Sequence, residues 1–147
     1  MMENGQDPLS LLAETKCSVS SVLNRDVKQY GKQFLFDGDE ETCWNSDQGE
    51  QQHIALQFPT AVIITSVVIR FQGGFVGKEC RAEGRSVASS SMYHMCDFFP
   101  EDINAVQRFE ITCAEPVDRL RLVFSSSTDF FGRITIYHLG VLGHMVK

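Results

Sequence analysis

At 147 residues the chain is the size of one domain, and a domain of that length buries about 68–70% of its extended surface, so a full core is expected. Its 43% hydrophobic and 22% charged residues are ordinary globular proportions, and no run approaches a membrane-spanning length. A net charge of −6 argues against direct grip on phosphate backbones, which takes clustered lysine and arginine.

The start, residues 1–7, is polar and acidic and lacks the order of a secretory signal. Residues 1–16 read as a flexible arm with room for one helical turn over 8–14. Residues 18–22 alternate small polar with apolar side chains, a strand signal, and 24–32 form a polar loop holding Tyr30. Residues 34–46 contain the single tryptophan. Phe34, Phe36 and Trp44 are large enough to seed a core, while Asp37-Gly38-Asp39 between them is turn chemistry. The chain is therefore expected to enter the core, turn in a tight acidic loop and re-enter at Trp44. Residues 45–52 make another polar turn, and 53–58 a strand that Pro59 closes, because proline cannot donate to a ladder. The β-branched run 61–71 predicts a central strand. A glycine loop carrying Phe75 follows over 72–77, then a short edge strand over 79–85. Residues 93–99 form a strand stopped by Pro100, and 106–112 and 117–124 are strands separated by Pro116. Residues 125–132 are a polar loop with Phe130 and Phe131, and 134–142 the last strand. Eight or nine short strands without a long helix predict an all-β, single-domain jelly-roll β-sandwich over 17–143, with a short tail, 144–147. Five cysteines, an odd number with no Cys-x-x-Cys pair and no Asn-x-Ser/Thr sequon, point to a reduced intracellular protein with free thiols.

The acidic loop invites a calcium reading, because hard cations want several oxygen ligands at once. It does not fit the helix-loop-helix calcium loop: counting from Asp37, position 6 is Thr42 rather than glycine and position 12 is Gln48 rather than glutamate. The alternative is structural, with Asp37, Asp39, Thr42 and Trp44 forming a hydrogen-bonded brace between strands.

Enzyme signatures are weak. Gly73-x-x-x-Gly77-Lys78 is one residue short of a phosphate loop, and Glu79 stands where serine or threonine should hold magnesium. His94 and Cys96, two apart on a strand, are expected to share a face, but packing explains such a pair more simply than nucleophilic catalysis. The thiols and imidazoles lack zinc-ligand spacing. The chain is expected not to be an enzyme. The loop aromatics are the better lead. Tyr30, Phe75, Phe130 and Phe131, with Arg133 as a polar rim, are candidates for a protein-recognition surface. The competing expectation is that Phe130 and Phe131 plug the barrel end, since exposing both leaves an apolar patch.

Phe-Asp-Gly-Asp-x-x-Thr-x-Trp-x-Ser over 36–46, His-Ile-Ala-Leu-Gln-Phe-Pro over 53–59, Asp-Arg-Leu-Arg-Leu-Val-Phe over 118–124 and Ile-Tyr-His-Leu-Gly-Val-Leu-Gly over 136–143 give a consistent order. That order resembles the discoidin or coagulation-factor C-type domain. Runs 35–37, 39–49, 71–75 and 128–133 are most similar to small intracellular members of this group that associate with a testicular orphan nuclear receptor. The resemblance implies a galactose-binding-like jelly roll that binds through loops at one end. It implies a nuclear or nucleocytoplasmic address and an orphan nuclear receptor as protein partner, while the acidic balance and the lack of a spanning run add the expectation of no direct nucleic-acid or membrane contact. It further implies repression of receptor-driven transcription by limiting receptor dimerisation or DNA binding. Lectin-like members hold calcium with the acidic loop's Asp and Thr oxygens and a last-strand glutamate. Here that register gives Asp37, Asp39 and Thr42 as ligands but His138 in the glutamate's place, a poor partner for a hard cation, so no cofactor is expected. The alternatives are a calcium- or glycan-binding lectin-like module and a docking module of a larger, ubiquitin-ligase-like assembly.

Overall fold

The computed structural model describes residues 7–146. Among them, besides three short 3-10 segments, are nine strands and one short α-helix: β1 (Asp7–Pro8), β2 (Lys16–Val19), α1 (Val27–Tyr30), β3 (Trp44–Asn45), β4 (Gln52–Phe71), β5 (Cys80–Ser86), β6 (Met92–Phe98), β7 (Val106–Glu110), β8 (Val117–Phe124) and β9 (Thr135–Met145). All pairings are antiparallel, along the path β1-β9-β4-β8-β5-β6, with β2 and β7 also joining β4 and β3 joining β9. This is the expected all-β jelly roll.

Strand β4 belongs to both layers. Its first part, residues 52–57, lies between β2 and β8, and its second, residues 62–71, between β9 and β7. Two strands were expected here, 53–58 and 61–71; the structure has one of 20 residues. Pro59 does not end it, because residues 58–61 sit at the crossing between layers, outside the paired registers. A proline there forfeits no ladder bond. The inward phase of β4 then shifts by one at Ser66–Val67, beside a register shift against β9.

Three further expectations are corrected. The 79–85 segment is not an edge: β5 is paired on both sides, with β8 and β6. Its charged residues Arg81, Glu83 and Arg85 all fall on the outward face, while Cys80, Ala82, Gly84 and Ser86 fill the inner one. The arm is not loose from residue 7 onward. Leu9 is completely buried, β1 pairs with Leu142 and Gly143, and the Val141 amide donates to the Ser10 hydroxyl at 3.2 Å. Leu9–Leu11 supply the expected turn, as a 3-10 turn; residues 1–6 of that arm lie outside the described residues. At the other end β9 runs into the expected tail through Met145, and the Val146 amide donates to the Ala61 carbonyl, while Lys147 lies outside the described residues.

The core joins the layers through Trp44, Phe71 and Phe124, all fully buried. Phe71 meets Phe124 edge-on at 5.9 Å, and Trp44 lies 6.5 Å from Phe124.

Candidate functional site

The acidic loop is a self-contained brace. The Asp37 carboxylate accepts the Thr42 hydroxyl at 2.6 Å and the Asp39 amide at 3.1 Å, and the Asp39 carboxylate accepts the Glu41 amide at 2.9 Å. Trp44 closes the loop from inside, donating its indole N–H to the Ser21 carbonyl at 2.9 Å while its backbone pairs with Ile136. Arg70 stands beside this loop as a fixed cation. Its guanidinium lies 5.4 Å from the centre of the Tyr137 ring, donates to the Asn104 carbonyl and comes within 4.0 Å of Glu40. His138, opposite Arg70 across the β4–β9 ladder, points to solvent. These residues do not fit a calcium centre. Carboxylate oxygens of Asp37 and Asp39 face their own loop, an arginine occupies the neighbourhood, and no metal-ligating group of three or more converges among the described residues.

The His94–Cys96 pair also separates. A bulge in β6 against Ala82 and Glu83 breaks the alternation between them. His94 is exposed and lies 3.4 Å from Asp97, while the Cys96 thiol turns toward the Glu110 carbonyl on β7. Burial pushes the Cys96 thiol up from its ordinary range, the wrong direction for a nucleophile.

The loop aromatics do assemble. Asp129 and Arg133 flank the 130–132 tip, and Arg133 donates from Nε and Nη2 to the two Asp129 carboxylate oxygens at 2.9 and 3.1 Å. That fork holds the guanidinium 5.2 Å from the Phe75 ring centre and 5.7 Å from that of Phe131, so one cation binds two loops together. Phe130 and Phe131 meet edge-on at 5.2 Å and are 91% and 55% exposed. They are a displayed pair, not a plug. Tyr30, on α1, is half-buried and makes no ring contact with this group among the described residues.

The rim is rigid for reasons partly hidden in the sequence. The Gly49 amide donates to the Phe131 carbonyl at 3.0 Å, and Gly132, at φ +83°, passes directly over the Gly49 carbonyl. The Val76 amide donates to the Thr128 hydroxyl at 3.0 Å, pinning the Phe75 loop. Beneath, buried Gln52 accepts the Ser20 and Ser21 hydroxyls and donates to the Asp47 carbonyl at 2.9 Å, tying two more loops to β4. An open cleft of about 460 Å³ runs between the 48–50 and 126–132 segments beside the aromatic pair. The opposite charges of Asp129 and Arg133, four residues apart around two phenylalanines, were a readable signal; Gln52 carried none.

The clamp gives a pH test. Hydrogen bonds from the Arg133 side chain hold the Asp129 carboxyl below its ordinary value of 3.8, outweighing the upward push of burial. A carboxyl lowered by folding stabilises fully above its unfolded value and loses that contribution as pH falls through the folded one. Urea unfolding between pH 7 and pH 3 should therefore show Asp129→Asn with a smaller acid loss of stability than the parent chain. Equal acid slopes would show that the clamp contributes nothing.

No family model matches the chain. It is 55% identical over 129 residues to the nuclear receptor 2C2-associated protein of Danio rerio, covering 88% of this chain and 91% of that one. To the Homo sapiens protein of the same name it is 52% identical over 133 residues, covering 90% and 94%. The chain belongs to the nuclear receptor 2C2-associated protein family. Solved structures place the fold of this nuclear receptor 2C2-associated protein family member among discoidin-type domains. An F5/8 type C domain from Bacteroides fragilis aligns at TM-score 0.77 with 14% identity over 90% of this chain and 93% of that one. A family 32 CBM from C. perfringens NanJ, in complex with galactose, aligns at TM-score 0.73 with 16% identity over 94% and 98%. At such identities the likeness establishes the galactose-binding-like jelly roll and nothing finer.

Proposed function

We propose that this chain is a non-catalytic protein-binding module whose rim, formed by Phe75, Phe130, Phe131 and Arg133, contacts an orphan nuclear receptor of the kind its relatives are named for. The observation that carries this is the exposed Phe130–Phe131 pair on a loop clamped at both ends. Aromatics held rigid at a surface lose little entropy on binding and dominate interface energies. In this reading the chain acts in the nucleus or shuttles to it. It represses receptor-driven transcription by covering a surface the receptor needs for dimerisation or DNA binding, which suits a net charge of −6 that opposes contact with DNA itself.

The test is a titration of purified receptor ligand-binding and DNA-binding domains with the parent chain and a Phe130→Ala/Phe131→Ala double variant. Together the two anchors are worth about 2 kcal/mol or more, so the double variant should bind at least about thirtyfold more weakly and should fail to repress a receptor-driven reporter. Equal binding by both chains overturns the rim assignment. No binding by the parent chain overturns the receptor reading.

A further inference from the structure

A second surface carries charge that the fold leaves uncompensated. On the outer face of the layer β2-β4-β8-β5-β6, the registers set Lys16, Gln57, Arg119 and Arg85 side by side in one row, and Ser18, Ala55, Arg121 and Glu83 in the next. The carboxylates of this face are already engaged. Glu83 accepts from Arg81 at 2.8 Å and from Arg121 at 2.5 Å, and Asp118 accepts from Arg85 at 2.9 Å. Arg119 and Lys16 are both exposed and have no partner among the described residues. Arg119 also faces a like charge, Arg85, directly across the ladder, a destabilising arrangement. His53, two residues before Ala55 on the same strand and face, has its proton affinity lowered by burial and then by the Arg121 charge.

The face is also concave. The small Ala55 side chain, set among Lys16, Gln57, Met92, Arg119 and Arg121, leaves an open groove of about 410 Å³. Arg119 and Arg121 are two residues apart on β8, a spacing of about 6.8 Å, and Lys16 lies two strands from Arg119, about 9.6 Å away. An extended peptide repeats its same-side residues at about 6.8 Å too. A segment lying along β8 thus sets alternate carboxylates over Arg119 and over the Arg121 Nη1, which the Glu83 pairing through Nε and Nη2 leaves open.

We propose that this groove docks an acidic, extended peptide segment of a partner protein, with alternate carboxylates on Arg119 and Arg121, Lys16 flanking them, and an apolar side chain seated over Ala55 against Met92. Charge complementarity selects the occupant: a cationic patch on a chain of net charge −6 attracts an anion locally while repelling a large polyanion at range. The interleaved Glu83 and Asp118 carboxylates also interrupt any continuous phosphate track.

The probe is a fluorescein-labelled octapeptide with glutamate at alternate positions and leucine at its centre, compared by anisotropy with its glutamine counterpart. The glutamate peptide is expected to bind the parent chain at least about tenfold more tightly than the glutamine one, with the gap shrinking as salt rises from about 50 to about 300 mM. A Lys16→Glu/Arg119→Glu double variant, both positions exposed, should lose at least about tenfold in affinity while keeping the parent circular dichroism. The Phe130→Ala/Phe131→Ala variant should bind the peptide as the parent does, which separates this groove from the rim. The proposal is overturned if the glutamine peptide binds equally, if the Lys16/Arg119 variant binds like the parent, or if an oligothymidylate binds more tightly than the peptide.

Discussion

Replacing Trp44 with alanine is expected to remove about 3–5 kcal/mol of stability, as large truncations in a packed core do. That is a large share of the about 5–15 kcal/mol available to a domain, so the variant should unfold at far lower urea or not fold at all. Two losses combine at this position. The indole is completely buried against Phe124, and its N–H is the donor that satisfies the Ser21 carbonyl. Trp44→Phe separates them: it keeps most of the ring volume and leaves one part-buried carbonyl without its donor, a loss nearer about 1–3 kcal/mol. Circular dichroism is the right probe, because Trp44 is the single tryptophan and its fluorescence goes with it. A loss under about 1 kcal/mol for Trp44→Ala would mean the acidic hairpin is not a brace.

That brace was legible because its signal is local. Asp37, Asp39 and Thr42 satisfy one another within six residues, and Trp44 is the only side chain of its size nearby. What was not legible depends on partners far along the chain. The charges of Arg81, Glu83 and Arg85 look the same on an edge strand as on an interior one whose outer face is wet; only pairing with β8 and β6 decides, and sequence alternation carries no information about neighbours. Pro59 reads as a stop, yet the crossing between layers is one of the few places where a central strand tolerates proline. Leu9 looked like part of a polar arm because the cavity that receives it is walled by β9, more than a hundred residues later. The rim divides the same way. Phe130 and Phe131 stood out as large apolar residues in a serine-rich loop, whereas their support from Gly49, Val76 and Gln52 arises only when four loops meet.

Gly132→Ala is expected to disable the rim with the core intact, and Gly38→Ala supplies the comparison. Both glycines hold a left-handed backbone, φ +83° at Gly132 and +71° at Gly38, so each substitution meets the same conformational cost of about 1–2 kcal/mol. They differ in what surrounds them. A Cβ at Gly38 meets nothing within contact distance, whereas one at Gly132 overlaps the Gly49 carbonyl oxygen, a backbone atom that cannot swing aside. Relief requires the two loops to part, which breaks the Gly49–Phe131 hydrogen bond and frees the aromatic tip from its seat. Gly132→Ala should therefore cost about 3 kcal/mol or more against about 1 for Gly38→Ala, read from urea midpoints. The 126–133 loop should become a preferred cleavage site in limited proteolysis, since opening of a local unit precedes cleavage there. Binding to the receptor domains should fall with it, because Phe130 and Phe131 would still be present but no longer held in one place, and ordering them again on contact consumes the free energy their burial releases. Equal behaviour of the two alanine variants would show that the Gly49 contact does not hold the rim. Loss of receptor binding by Gly132→Ala with an unchanged loop would instead place the recognised surface on Gly132 itself.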